Sequence, residues 1–393
     1  MRSAVITSLL FFVFHISGLG QATGDKFAPL IKKAKKTNSN AVIVLQDGKK
    51  VVDYQKNTNP EKIYSRSVTK SVIALAIAKL LSDGKIDSLA TPVSHYYTAW
   101  KQGLKKNITI RHLMNHSSGL QNVDRPQAEI YPSPDAVQLA LCASVVDTPG
   151  TKISYNNKAT NLLSGIVEKI TGQKLDDYLE STLFQKMAIT NYDWQTDEAG
   201  NPYAMSGFKV IPSDLAKLGQ LVLQNGAWDG QQLISEKWMD KILAQGSPKR
   251  INYGLLWWRI PKKKSYIVDN QQLGVLKEAG LSDQMLAKAR QLNGSYDSKG
   301  AVVQQIMGQF SSKQQMMDFR QATLGQGLEL WRSELSGPII GYKAEGSLGE
   351  YLVIYPKQNI VAVRMIRRTN DYNQRTDNFG KFSNMVYQLA TSE

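Results

Sequence analysis

The chain has one cysteine, Cys142, in 393 residues. An internal disulfide needs two, so a fold of this sequence rests on its buried core alone. Histidine is almost as scarce. After His15 only His95, His112 and His116 remain. His112 and His116 stand at i and i+4, a spacing metals can use. No Glu lies between them and no third ligand is evident, so no metal and no cofactor is expected. The sequence also lacks a Gly-x-Ser-x-Gly elbow, which sets aside a strand–nucleophile–helix hydrolase with a Ser-His-Asp triad. Zinc-finger spacing, a basic helix interleaved with aromatics and RNA-binding signatures are all missing. The formal charge of +15 is therefore read as a solvated basic surface with, at most, loose association with an anionic cell envelope, and not as a nucleic-acid footprint.

What is present is ordinary for a globular protein: 42% apolar and 21% charged residues. The length allows one large domain with a sizeable core. Residues 1–22 read as a signal peptide. Arg2 is a short positive region, an apolar stretch follows, and Gly18-Leu19-Gly20 gives small residues at a cleavage point. The stretch is shorter than the ~20 residues that span a bilayer. The expected mature chain starts near Gln21 or Ala22, carries one domain over residues 23–393, and is periplasmic or secreted.

Periodicity predicts a helix over 27–36, then strands over 41–45 and 51–55 around the turn Gln46-Asp47-Gly48-Lys49. Helices follow over 67–81, 109–115, 161–171 and 213–225, the last with Ser213 as N-cap. Strands return over 253–260, 349–355 and 360–366, and a helix over 379–390 closes the chain. Strands at both ends with helices between predict an α/β (α+β) fold. An antiparallel sheet is assembled from the two termini, flanked by helices, with a mainly helical lobe inserted. Residues 261–337 stand apart, rich in Gln, Met, Lys and Ala, with helices expected over 273–292, 301–310 and 313–335.

The chemistry concentrates at Ser67-Val68-Thr69-Lys70. A serine hydroxyl needs a partner to take its proton. At i and i+3 on a helix, Ser67 and Lys70 share one face. The helix N-terminus favours negative charge on the serine oxygen, and a buried lysine can lose its proton near neutral pH. One such spacing is weak alone, because a chain of this length holds about one or two by chance. Tyr155-Asn156-Asn157 supplies context. A tyrosine beside lysines can have a lowered pKa and shuttle a proton, and the Asn157 amide can fix an ammonium and a substrate carbonyl together.

With these residues in place, the sequence resembles the serine beta-lactamase and penicillin-binding protein family, most closely its esterase and peptidase branch. The likeness is carried by Tyr64-Ser65-Arg66-Ser67-Val68-Thr69-Lys70 and by the run from Ile110 through His112 and His116 to Leu120. Ile153-Ser154-Tyr155-Asn156-Asn157, the run Pro212 to Gly219, and Tyr253-Gly254-Leu255-Leu256-Trp257-Trp258 continue it in family order. The resemblance implies a beta-lactamase/transpeptidase-like fold. It implies Ser67 as acylated nucleophile, Lys70 and Tyr155 as base and acid, and Asn157 as polar anchor. It also implies an oxyanion hole from the Ser67 N–H and a strand N–H.

That strand carries the family's Lys-Thr-Gly or His-x-Gly. Aligning on Gly346 places Ser347 as the second oxyanion donor and Ala344 where the basic residue stands. Lys343 falls one residue off and faces the other way. With no cation at Ala344 and a negative Glu345 beside it, short esters or uncharged amides are expected to be cleaved better than penicillins. Three activities follow: hydrolysis of carboxylic esters, small amides or short peptides; a beta-lactamase or D-alanyl-D-alanine carboxypeptidase; or an idle binder of envelope fragments, against which the intact serine, lysine and tyrosine argue. The 261–337 insertion reads either as a lid or pocket wall, or as a surface elaboration or dimer contact.

Overall fold

A computed structural model describes residues 26–123, 125–326 and 328–392. The predicted signal peptide lies outside the described residues. Among these, no helix is long and apolar enough to cross a membrane.

The main sheet is antiparallel and comes from both ends of the chain, as expected. Its strands are β1 (Ala41–Gln46), β2 (Lys49–Gln55), β3 (Trp258–Val268), β4 (Gly294–Tyr296), β5 (Arg332–Glu345), β6 (Tyr351–Tyr355) and β7 (Ile360–Met365). Their order is β2-β1-β7-β6-β5-β3-β4. The N-terminal hairpin joins the C-terminal one through β1 and β7, with Ile43 opposite Val363. Pro356 opens the β6–β7 turn and Asn359, at φ 51°, ends it.

Alternation along these strands feeds two cores. Val42, Val44, Val353 and Tyr355 pack against α1 (Ala28–Lys36) and the terminal helix Phe382–Thr391. Ile43, Leu352, Ile354, Val361 and Val363 face the helical lobe. That lobe contains α2 (Thr69–Ser82), α3 (Asn157–Thr171) and α4 (Pro212–Leu223). α4 lies so close to the sheet that a Cβ on Gly219 would stand 2.5 Å from Val361 and 2.7 Å from Leu352. α2 is buried on all sides except Lys79 and Ser82. Its loose apolar period in sequence reflects a helix enclosed by the lobe rather than laid on a surface.

Several boundaries differ from the sequence reading. α3 starts at Asn157 rather than residue 161, because Asn156 caps it by accepting the Ala159 N–H at 2.9 Å. α4 begins with Pro212 in the first turn, so Ser213 lies inside the helix and is no N-cap. Residues 253–257 bend, with Leu256 at φ 61°, and β3 begins only at Trp258.

The insertion departs most. β3 and the first part of β5 run out together as a long ribbon, Arg332 opposite Ile267 and Leu335 opposite Lys264. The expected helix over 313–335 therefore stops at Ala322. The expected helix over 273–292 is two, Asn270–Glu278 and Asp283–Arg290, split where Gly280 turns at φ 85° and Ser282 caps the second. Lys299–Met307 and Lys313–Ala322 complete the set. These helices bury their own core around Leu276, Ala289, Val302, Ile306, Phe319 and Trp331. The ribbon's charged and proline residues hid its strand character, which a neighbouring strand supplies.

Candidate active site

Ser67 sits in a short 3-10 turn, Arg66–Val68, that leads directly into α2. Arg66 takes φ 52°, a left-handed backbone costly for a non-glycine residue. Sequence reasoning put Ser67 in the helix itself; the structure puts it one tight turn earlier. Lys70 follows in the first turn of α2, and its Nζ lies 3.1 Å from Ser67 Oγ. The Lys70 side chain is 2% exposed, and its other hydrogen-bond partner is the Met205 carbonyl at 2.7 Å. Burial without a carboxylate partner lowers the Lys70 pKa to about 7.

Tyr155 completes the cluster. Its ring centroid is 4.9 Å from Lys70 Nζ, and it lines the same cleft as Ser67. The expected lowering of its pKa is not found. Burial pushes it up to about 12, the nearby Ser67 hydroxyl only partly offsets this, and Glu345 raises it further. Desolvation of a phenolate outweighs a lysine that is itself half neutral at pH 7. Lys70 is thus placed to accept a proton, and Tyr155 to donate one.

His116 holds this tyrosine from behind, a role sequence reasoning missed. Its ring centroid lies 4.4 Å from that of Tyr155. Nδ1 accepts the Asn156 N–H at 3.2 Å, so Nε2 carries the proton toward the Tyr253 hydroxyl at 3.0 Å. Burial drives its pKa far down and keeps the ring neutral. His112 Nδ1 instead accepts the Thr109 N–H in a capping box. The i, i+4 histidines therefore serve two different backbone segments.

Ser67 and Tyr155 open onto a cleft of about 560 Å³, lined also by Arg250, Trp258, Glu345, Gly346 and Ser347. The Ser347 N–H has no acceptor among the described residues. Asn157 is the first residue of α3, two positions after Tyr155, and the second hydrogen-bond acceptor of the Lys70 amine is the Met205 carbonyl. The residues that line the cleft do not include any of 261–337.

Ala344 is buried in the core, whereas Lys343, on the opposite face of β5, pairs with the cleft carboxylate Glu345 and lies 5.9 Å from the ring of the cleft residue Trp258, so it borders the cleft. The cleft also has a cation of its own. The Arg250 guanidinium stacks 4.9 Å from the Trp258 ring and 5.6 Å from the Tyr253 ring, and no carboxylate pairs with it among the described residues. Sequence reasoning passed over Arg250. The only cue was a basic pair, Lys249-Arg250, just before Tyr253-Gly254.

The fold and this cluster define a class of serine hydrolase-like proteins. The beta-lactamase family model matches residues 27–380, and the chain belongs to that family. The 6-aminohexanoate-dimer hydrolase of Paenarthrobacter ureafaciens is 24% identical over 245 residues, 58% of this chain and 62% of the relative. The chain thus matches less than two thirds of that relative's length. A beta-lactamase candidate from Bacteroides dorei superposes with a TM-score of 0.63 at 16% identity, covering 94% of this chain and 98% of its own. EstCE1, a hydrolase with promiscuous acyltransferase activity, superposes at 0.60 with 12% identity, covering 95% and 99%. These two likenesses establish the antiparallel, helix-flanked fold.

Proposed function

We propose that the chain is a serine hydrolase that forms an acyl-enzyme on Ser67 and hydrolyses short carboxylic esters, small amides or short peptides. The observation that carries this is the 3.1 Å contact between Ser67 Oγ and a buried Lys70 amine whose pKa is about 7. Neutral Lys70 takes the Ser67 proton as Oγ attacks the substrate carbonyl. The oxyanion that forms is met by the N–H groups of Ser67 and Ser347. Tyr155 gives its proton to the leaving group, and the relay regains one from Lys70. Water then attacks the acyl group by the reverse route, freeing the acid and Ser67. The matched relative is named for cleaving a dimer of an amino acid, which fits a short amide as substrate. Under the same reading the chain is exported. N-terminal sequencing of native protein should start near Gln21 or Ala22, and a start at Met1 rejects export.

The leaving group checks Tyr155. Tyr155→Phe should cut turnover of an alkyl ester or anilide by about 10²–10⁴, the worth of a positioned acid. A p-nitrophenyl ester, whose phenolate leaves without a proton, should lose at least tenfold less. Equal losses on both substrates would remove Tyr155 from leaving-group protonation.

Arg250 favours a second, narrower reading, in which the acyl portion or leaving group bears a carboxylate. An unpaired guanidinium in the cleft supplies the charge that Ala344 does not. A charge-assisted bond of this kind contributes roughly 1.5–3 kcal/mol. Arg250→Gln should lower kcat/KM for p-nitrophenyl hemisuccinate by ~10–100-fold, the same magnitude. p-Nitrophenyl butyrate should stay within about twofold, since it lacks the carboxylate. Equal changes for the two esters would take Arg250 out of substrate recognition.

A further inference from the structure

The turn that carries Ser347 is tied down on both sides of a main-chain N–H that has no acceptor among the described residues, and Ser347 itself lines the cleft. Gly346 N–H donates to the Glu350 carbonyl at 2.8 Å, and Gly349 N–H to the Gly346 carbonyl at 3.1 Å. Leu348 N–H donates to Glu350 Oε2 at 3.1 Å. The Leu348 carbonyl accepts the Tyr372 hydroxyl at 3.0 Å, and the Gly349 carbonyl accepts Arg364 Nη1 at 2.6 Å. The N–H groups on either side of Ser347 are thus both held by Glu350, one through its main chain and one through its carboxylate. The Ser347 N–H between them stays free.

Glu350 is fully buried, and its Oε1 has no partner among the described residues. An isolated buried carboxylate oxygen is costly and calls for a reason. Its surroundings supply one. A Cβ on Gly346 would stand 2.3 Å from Glu350 Oε2 and 3.0 Å from the Arg66 Cβ. Only a glycine lets the turn lie this close. The carboxylate therefore sits behind the Ser347 turn and beside Arg66, the strained residue that precedes the nucleophile.

We infer that Glu350 is a positioning residue: its carboxylate holds the Ser347 N–H at a fixed place opposite the Ser67 N–H, so that the two donors converge on one oxyanion. This rests on the acyl-enzyme reading of Ser67. The charged and titratable groups around Glu350 are Arg66 before the nucleophile, Arg364 on β7, and Tyr351 and Tyr372. Arg364 spends its guanidinium on Ser39 and on the carbonyls of Thr37, Gly349, Asp377 and Asn378, which leaves it no direct bond to the carboxylate. Burial is the largest influence and raises the Glu350 pKa to about 7. A carboxylate raised in the fold favours the protonated form there. Its ionisation costs stability as pH climbs through about 7, while the charge-assisted grip on Leu348 N–H exists only above that pH. Activity and stability therefore pull in opposite directions, which a purely structural glutamate would not do.

The test compares native protein with Glu350→Gln and Glu350→Ala at pH 8. It uses p-nitrophenyl butyrate turnover, inhibition by butylboronic acid, fluorophosphonate labelling of Ser67 and thermal melting. Gln keeps the shape and an acceptor but loses the charge; kcat should fall about tenfold, with the melting temperature unchanged or higher. Ala should cost about 10²–10³-fold in kcat, as when an oxyanion donor is lost. KM should stay within about twofold in both, and boronate affinity should fall in step with kcat, because the tetrahedral boronate uses the same donors. The acid limb of the native kcat/KM profile should contain two groups and that of Glu350→Gln one. A folded variant with kcat within about threefold of native and native boronate affinity overturns the inference, and so does a loss that simply follows a lower melting temperature. If the Ala variant does not fold, the Gln variant decides alone. Native protein that neither turns over the ester nor takes the phosphonate contradicts the acyl-enzyme reading, and Glu350's role with it, before any variant is made.

Discussion

Lys70→Met should lose about 10²–10⁴ in kcat and yet melt at a higher temperature than the native protein at pH 7. The catalytic half follows from the 3.1 Å contact with Ser67 Oγ, which a thioether cannot use to take a proton. The stability half follows from linkage. The Lys70 pKa is lowered from 10.5 to about 7 by burial. The unfolded chain therefore takes up a proton near pH 10.5 that the folded chain takes up only near 7. Stability falls as pH drops between those values, and below about 7 the full cost is present. At its full value that cost is roughly 5 kcal/mol. The Met205 carbonyl, left without its donor, takes back ~1–3 kcal/mol. A net gain of a few kcal/mol remains, visible as several degrees in a calorimetric scan. The same lowered pKa predicts an acid limb in kcat/KM centred near pH 7. Activity within tenfold of native, or a lower melting temperature at pH 7 and an unchanged one at pH 11, would show that Lys70 is an ordinary charged residue.

The parts of this architecture that were legible in the sequence are those set by local pattern. The β1–β2 hairpin announces itself through Asp47-Gly48 between two apolar runs, and β6–β7 through Pro356 and Asn359. Ser67, Lys70 and Tyr155 were found by residue type and order, and the fold brings all three together. Ala344 and Lys343 fell on opposite faces of β5, as strand alternation requires.

What stayed hidden depends on long-range packing. The direction of the Tyr155 pKa is set by burial, which no local pattern shows. The Asn156 cap that starts α3 at Asn157, and the Met205 carbonyl that accepts from Lys70, come from no pattern around the motif. His116, Arg250 and Glu350 come to the site from separate segments with no motif of their own. The ribbon of β3 and β5 was invisible because each strand is polar by itself and is made a strand by the other.

The proposed hydrolysis depends on covalent chemistry at one oxygen. The most direct measurement is the intact mass of native protein and Ser67→Ala after incubation with a fluorophosphonate and, separately, after an acid quench of p-nitrophenyl butyrate turnover. Ser67 lines the cleft and is not part of the buried core, so the substitution should leave the melting temperature within a few degrees. Native protein should gain one phosphonyl group, or one butyryl group, on the peptide that contains Ser67. Ser67→Ala should gain neither and should have no measurable turnover. A single adduct on another residue, or equal labelling and turnover in Ser67→Ala, would contradict the acyl-enzyme on Ser67.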